Sequence, residues 1–350
     1  MNIVFVYWGY ENAGSMLDLR GYSRAAEKMG HKVTIYGPNE VTYAPNYSKD
    51  LREADAVVFV VEWTTDLQFG DRVDWARLIA SVPRSRRVVI DCDGAYNEPT
   101  RHHGDYNHKS EESSQRWLEV CDGIADKICQ PTVKPQRKNV RPFLFHIYDP
   151  SWESPLEFSN KEFDMIYVGH TKFRWRGMSR VLHAIEPLRS KVKRIGLVGE
   201  GWDNPPEWTQ WHEIKADYEV DREYLKKLNV ELFPPIPYRE VTDTMNKAVF
   251  NPVMYRPLFE KLDFVTCRTY ETPAAGTIPV FVLEPAYIRE VYGEAALELV
   301  LPQEHPEDKI SDVLSRPEHY AGIVRDIRAD FGVRHSPESR LKELIGIIEA

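Results

Sequence analysis

Short uninterrupted apolar runs alternate along the chain with longer stretches whose apolar positions recur every third or fourth residue. Ile3 to Tyr7 is the first such run. Leu19, Tyr22, Ala26 and Met29 then fall at helical spacing up to Gly30, and His31 to Tyr36 (HKVTIY) resumes as a strand. The chain therefore opens with a β-α-β unit, which predicts a parallel sheet covered by helices. Ala56 to Val61 (AVVFVV) and Arg87 to Ile90 (RVVI) extend that sheet, with a helix predicted over Arg72 to Ala80 between them. A polar loop rich in Asp, Asn, His and Gly runs from Asp91 to Arg116, a helix and strand are predicted within Trp117 to Cys129, and Lys134 to Arg141 reads as a basic loop.

Prolines and serines cluster between apolar segments at Asp149 to Lys161 (DPSWESPLEFSNK), the composition of a domain linker. A second alternation follows: strands at Asp164 to Val168, Arg194 to Val198, Val230 to Phe233 and Ala248 to Val253, with Val181, Leu182, Ile185 and Leu188 marking a helix. Arg268 to Phe281 (RTYETPAAGTIPVF) predicts a short helix with Glu271 in its first turn and Pro273 tolerated early. Thr277 to Pro279 would end it, and Val280 to Leu283 would form a buried strand. Ser336 as N-cap, Pro337 at the first helical position and Leu341, Leu344, Ile345 and Ile348 on one face predict a final amphipathic helix. The fold class expected is α/β, with one domain over residues 1–155, a second over 160–335, and a helix over 336–350 that must dock on a neighbour.

A length of 350 residues with 42% hydrophobic residues suits two domains of ordinary size. A formal net charge of −9 argues against a dedicated nucleic-acid binder, because phosphate neutralisation needs a strongly basic face. Cys92, Cys121, Cys129 and Cys267 show no C-x-x-C spacing, so reduced thiols are expected rather than disulfides or zinc. The first strand begins almost at once and no apolar run reaches bilayer length, so a soluble, cytoplasmic protein is expected.

Three stretches carry candidate chemistry. Gly169 to Gly177 (GHTKFRWRG) packs Lys172, Arg174 and Arg176 into a loop leading to a helix start, a cradle for a diphosphate unless the loop is merely solvated. Val198-Gly199-Glu200-Gly201 is a strand followed by G-x-G, either a ligand-approaching turn or one required by packing, and Tyr255 follows a strand at the end where open α/β sheets bind ligands. Glu271 is placed to accept both hydroxyls of a ribose; the plainer alternative is an exposed helix-start glutamate. In the first half, Asp91-Cys92-Asp93 closes a strand. A D-x-D there is either a divalent-metal motif, a pair of turn caps, or a polar contact to a sugar or acceptor. His102, His103 and His108 have no recognised metal spacing and read as loop residues, and Gly14 and Ser15 offer N–H groups in the first β-α turn.

The E-x-x-A-x-G segment at Glu271 to Gly276, with Arg268 just before it, resembles the end of the nucleotide-binding domain of GT-B glycosyltransferases, CgeB-like members most of all. Ile278 lengthens the usual Gly-to-Pro spacing by one residue. The loop from Gly169 to Gly177 resembles the V-G-R and K-G pair of the same domain, with His170 in place of the arginine and Arg176 in place of the lysine. Asp263, eight residues before Glu271, stands at the interval of the paired acidic residues of many retaining members. The resemblance implies two Rossmann-like domains facing across a cleft, and a metal-independent hexosyltransferase. That enzyme would move a sugar from a nucleoside diphosphate, UDP most of all, to an acceptor in the cleft with retention. Gly14, His170, Lys172, Arg174, Arg176, Gly199, Tyr255, Arg268, Tyr270, Glu271 and Thr272 would contact the donor. Arg176, with Lys172 or Arg174, would stabilise the departing diphosphate, and Asp93 or Asp91 would meet the sugar or acceptor. Two other readings are a non-catalytic nucleotide-sugar-binding module and a sugar transferase acting on DNA, for which Arg84 to Arg87 and Lys134 to Arg141 would have to share a face.

Overall fold

The computed structural model describes residues 1–7, 14–36, 53–62, 80–97, 111–204 and 219–350. The helix expected over Arg72 to Ala80 lies almost wholly outside them, as do His102, His103 and His108. The chain forms two compact units. The first comprises Met1–Asp149, Lys261–Cys267 and Gly332–Ala350; the second comprises Pro150–Glu260 and Arg268–Phe331.

The first unit is a six-stranded parallel sheet ordered β2-β1-β3-β4-β5-β6, from β1 (Asn2–Val6), β2 (Lys32–Tyr36), β3 (Ala56–Val61), β4 (Arg87–Asp91), β5 (Lys127–Gln130) and β6 (Val140–Pro142). All six residues of β3 are buried, as an inner strand with both faces covered requires. Helix α1 (Gly14–Lys28) follows β1, and α2 (Glu111–Ile124) precedes β5, starting inside the stretch expected to be loop. Val4, Val57, Phe59, Val89, Leu118, Cys121 and Ile128 share one core. Residues 261–267 join this unit: Thr132 Oγ1 donates to the Leu262 carbonyl at 2.6 Å and Val265 N to that of Pro131 at 2.6 Å. Asp263 lies in this segment, 3.8 Å from Lys134 Nζ. The acidic pair suggested by its spacing from Glu271 is therefore divided between the two units.

The second unit is a five-stranded parallel sheet ordered β11-β10-β7-β8-β9, from β7 (Phe163–Val168), β8 (Ile195–Val198), β9 (Val230–Phe233), β10 (Ala248–Val253) and β11 (Ile278–Phe281). Its helices are α3 (Trp175–Ile185), α4 (Arg222–Lys227), α5 (Val241–Asn246), α6 (Pro257–Lys261), α7 (Cys267–Ala274), α8 (Pro285–Tyr292), α9 (Pro306–Ser315) and α10 (Pro317–Arg334). Pro279 lies inside β11 instead of ahead of it, tolerated because β11 is an edge strand. Pro252 falls beyond the residues through which β10 pairs with β7.

The last helix, α11 (Pro337–Glu349), belongs to the first unit and packs on α1. Ser336 Oγ accepts from Ser339 N at 3.2 Å, satisfying a first-turn donor. Gly21 makes the approach of α1 possible, since a Cβ there would meet Ile147 Cδ1 at 2.0 Å and Pro337 Cγ at 3.5 Å. At the other end Lys127 Nζ donates to the Ile348 carbonyl at 2.7 Å, a cation at a helix C-terminus.

Helix α7 is held at its C-terminal end by a buried guanidinium. Arg328 of α10 donates from Nε to the Pro273 carbonyl at 2.8 Å and from Nη2 to those of Ser154 at 2.9 Å and Ala274 at 3.2 Å. Arg328→Leu strands those acceptors, so denaturant unfolding should show a loss of about 2–4 kcal/mol. A loss below about 0.5 kcal/mol would mean that this clamp does not hold the helix.

Candidate functional site

In each sheet the strand order reverses once, and the loops leaving the strands on either side of that point diverge and open a crevice. In the second unit the reversal lies between β7 and β10. The chain leaves β7 through Gly169 to Arg174 and leaves β10 through Met254 to Arg256.

Backbone packing fixes the first of these loops. Gly169 N donates to the Val198 carbonyl at 2.8 Å, Trp202 Nε1 to the Gly169 carbonyl at 2.8 Å, and Thr171 N to the Glu200 carbonyl at 3.0 Å. A Cβ on Gly199 (φ 140°) would lie 2.3 Å from the Gly169 oxygen, so the turns after β7 and β8 touch backbone to backbone. Packing thus accounts for the glycine of the G-x-G. The same turn walls a cavity of about 500 Å³ bounded by Gly199–Asn204 and Leu232–Pro235, with Trp202 and Phe233 among its aromatic lining.

Phe173 takes a left-handed conformation (φ 58°), and Arg174 N donates to the Thr171 carbonyl at 2.8 Å, which sets Arg174 as N-cap of α3. Its guanidinium donates to the Lys172 carbonyl at 3.1 Å. His170 keeps an open face to solvent although protein surrounds the rest of the ring. That desolvation, and then the charges of Arg174, Lys172, Arg256 and Arg268, push its imidazole down to about 3. Four cations thus add to the desolvation in keeping His170 neutral. Arg174 itself is lowered by desolvation and by Arg256 and Arg268, with Tyr167 opposing. Arg256, stacked over Phe259 at 3.8 Å, was not singled out by the sequence, since a lone Arg after a strand carries no signal until strand order is known. Arg176 is exposed and is not among the charges that act most strongly on His170. At about 100° per residue, two steps of helix turn it away from the side Arg174 occupies. Of the two arginines expected at this loop, Arg174 is the one whose charge acts on His170.

Helix α7 begins at Cys267, so Glu271 lies in its second turn, is 4% exposed, and is neither a first-turn nor a surface glutamate. Its carboxylate pairs with Arg268 at 3.3 Å, one turn earlier on the same face. Gly276 (φ 70°) ends the helix where a Cβ would meet the Pro155 carbonyl at 2.6 Å. Gly177 admits Met254, whose Sδ would lie 3.0 Å from a Cβ. Three expected donor contacts are core residues instead. Tyr255 Oη is 2.5 Å from Thr269 Oγ1, Tyr270 packs edge-on against Phe331, and Thr272 is 1% exposed. Their hydroxyls and rings are enclosed, and Tyr255 is committed to a buried network with Thr269 and Tyr287.

In the first unit the reversal lies between β1 and β3, and the residues there are acidic. Asp91 is enclosed, its oxygens accepting from Ala95 N at 3.0 Å, Tyr96 N at 2.8 Å, Gln130 Nε2 at 2.8 Å and Asp93 N at 3.3 Å. It is the turn cap of the strand end, with no oxygen left over for chemistry. Asp93 is buried and acts on Glu62, a residue that follows β3 and that the sequence did not single out. Burial first, with repulsion from Asp93, raises the Glu62 carboxyl to about 7 against the lowering by Ser15, His146 and Tyr7. Asp18 of α1 is 2.6 Å from His146 Nδ1 and accepts from Ile147 N at 3.0 Å. Gly14 opens α1 beside this group. Among the described residues no three His, Cys, Asp or Glu side chains are grouped to hold a metal, and no helix is long and apolar enough to cross a membrane.

The family model described as "Glycosyl transferase-like" matches residues 179–346, a little under half of the chain. No curated protein sequence matches. Among solved structures, the chain is similar to T4 phage BGT in complex with UDP and Mn2+, at a TM-score of 0.57 and 12% identity over 100% of both chains. It is similar also to an alpha-glucosyltransferase in complex with UDP-glucose and DNA containing an abasic site, at a TM-score of 0.64 and 15% identity over 100% of this chain and 99% of that one. A third is the DNA modifying enzyme beta-glucosyltransferase, at a TM-score of 0.56 and 12% identity over 100% of both chains. At such identities the likeness is one of architecture, and the architecture, two parallel sheets each flanked by helices, is the GT-B fold.

Proposed function

We propose that this protein is a glycosyltransferase that moves a hexose-like sugar from a nucleoside diphosphate, UDP in the first instance, to an acceptor hydroxyl. The observation that carries this reading is the placing of Lys172 and Arg174 in the loop after β7 and of Arg256 after β10, on either side of the strand-order reversal of the second unit, where with Arg268 their charges act on His170. Bond breaking at the sugar places growing negative charge on the diphosphate, and fixed guanidinium groups in a part-desolvated crevice stabilise that charge more than they stabilise the bound donor. A neutral His170 adds a ring N–H donor without adding to the repulsion among the cations. The cavity beside Gly199, with Leu232 and Phe233 in its lining, offers an apolar wall for a base. Glu271 accepts from the ribose while its ion pair holds Arg268 toward the phosphates. UDP bound to the similar structures supports this choice of donor.

Which anomer forms depends on where the acceptor's proton goes. Retention sends it to the leaving phosphate, whereas a carboxylate of the protein would serve a single inverting displacement. DNA is a second acceptor reading, favoured by the DNA bound to one similar structure and by Arg86 and Arg141, whose charges meet at Lys127. Arg84 contributes less to such a face, since its Nε is 2.8 Å from Asp126 and its other nitrogens are spent on the carbonyls of Asp122 and Gly123. Binding to duplex DNA that weakens steeply with salt would favour this acceptor.

Three outcomes are expected. In titration calorimetry Arg174→Ala should lose about 2–3 kcal/mol of UDP affinity, and Arg176→Ala less than about 0.5 kcal/mol. Equal effects, or no UDP binding by the wild type, would remove the diphosphate assignment. Glu271→Gln should cost about 1–3 kcal/mol for UDP and clearly less for its 2′,3′-dideoxy analogue, since the lost acceptor faces the ribose hydroxyls. A uniform loss for both nucleotides would reassign Glu271 to holding Arg268 alone. Turnover of a UDP-sugar should survive excess EDTA, because the cations already neutralise the diphosphate. Loss on chelation with recovery on adding manganese would place a metal there instead.

A further inference from the structure

Tyr167 stands near the end of β7, just ahead of the loop that carries His170 and Arg174. Its ring lies edge-on to Trp202, with centroids 5.7 Å apart at 83°. Trp202 in turn donates from Nε1 to the Gly169 carbonyl at 2.8 Å and borders the cavity beside Gly199. The phenol lies over Gly169, where a Cβ would stand 3.0 Å from Tyr167 Oη and 3.1 Å from its Cε1, so the absence of a side chain at residue 169 leaves room for it. Tyr167 is 6% exposed, and a phenylalanine would fill the same space against Trp202 and Gly169. The hydroxyl therefore needs a purpose of its own, since buried phenols keep a hydrogen-bond partner. That partner is Arg174, whose guanidinium donates to the Tyr167 oxygen.

We infer that Tyr167 is a positioning residue of the donor site, its hydroxyl holding the Arg174 guanidinium in place for the diphosphate while Trp202 braces its ring. This rests on the glycosyltransferase reading. Arg174 also donates from Nη1 to the Lys172 carbonyl at 3.1 Å, so the fork is gripped both from β7 and from its own loop. Both acceptors are neutral. They fix the guanidinium without cancelling its charge, in contrast to Arg268, whose partner is the Glu271 carboxylate at 3.3 Å. An arginine already held in one rotamer gives up little freedom when a ligand arrives, and that saving strengthens binding with no added contact.

The test is a double-mutant cycle in the full chain, read by titration calorimetry with UDP and by thermal melting. Tyr167→Phe removes the hydroxyl and keeps the ring, so it should melt within about 3 °C of the wild type and bind UDP about 10-fold more weakly. In the Arg174→Ala background the same change should have no further effect on UDP affinity, because the group that Tyr167 positions is gone. A hydroxyl that merely supports the fold would weaken binding by the same factor in both backgrounds, and that result would overturn the inference. So would Tyr167→Phe binding UDP like the wild type, or melting far below it, which would assign the hydroxyl to folding. A wild type that binds no UDP would overturn the donor reading and this inference with it, whereas a wild type that binds UDP beside an unaffected Tyr167→Phe overturns the inference alone.

Discussion

A parallel sheet whose strands are not laid down in order must reverse its order somewhere, and the candidate chemistry among the described residues gathers where it does. Between β7 and β10, and again between β1 and β3, consecutive loops depart to opposite faces and leave strand ends uncovered. The contact of Gly199 with the Gly169 carbonyl is one result: the turns after β7 and β8 lock together, and the loop bearing His170, Lys172 and Arg174 inherits their rigidity.

The two crevices differ in sign. In the second unit, Arg174, Lys172, Arg256 and Arg268 all act on His170, and one carboxylate, Glu271, pairs with Arg268 at 3.3 Å. Like charges in a part-desolvated setting repel more strongly than on an open surface, and what reduces the strain here is local. Arg256 lies over the Phe259 ring, Arg174 reaches a backbone carbonyl, and His170 stays neutral. Under the proposed reading an entering diphosphate relieves the remainder, so part of the binding free energy is repulsion already present in the free protein. In the first unit burial, and then repulsion from Asp93, raise the Glu62 carboxyl, and a proton relieves both.

Much of the framework was legible in the chain because buried parallel strands are apolar throughout. AVVFVV and the run at Ala248 could be little else, and β7, β8 and β9 lie within a residue of where periodicity put them. Turns and loops carry less information. The helix expected after Trp117 begins already at Glu111, where a polar composition suggested loop, and α7 starts early enough to carry Glu271 into its second turn. Strand order left no trace at all. It is set by which strands pair, and pairing depends on contacts distant in sequence. For that reason Arg256 and Glu62 were missed. Each is a single charged residue after an apolar run, unremarkable until the strand it follows is known to border a reversal.

Arg174 and Arg176 show how motif and geometry part company within one loop. Counting back from Gly177 selects Arg176, because in the family pattern a cation precedes that glycine. Gly177 itself is explained by Met254, which occupies the space a side chain would need, so the glycine marks close packing of α3 on the end of β10. Packing of that kind fixes the rotation of α3, and the rotation decides which cation reaches the crevice. Arg174 at the N-cap lies on the β10 side with Arg256, whereas a residue two positions on is carried about 200° around the axis into solvent. A helix shifted by two residues would exchange their roles without altering composition. Phe173, held at a φ of 58° that a bulky residue adopts only under constraint, sets that phase from the loop side, and Gly177 sets it from the helix side.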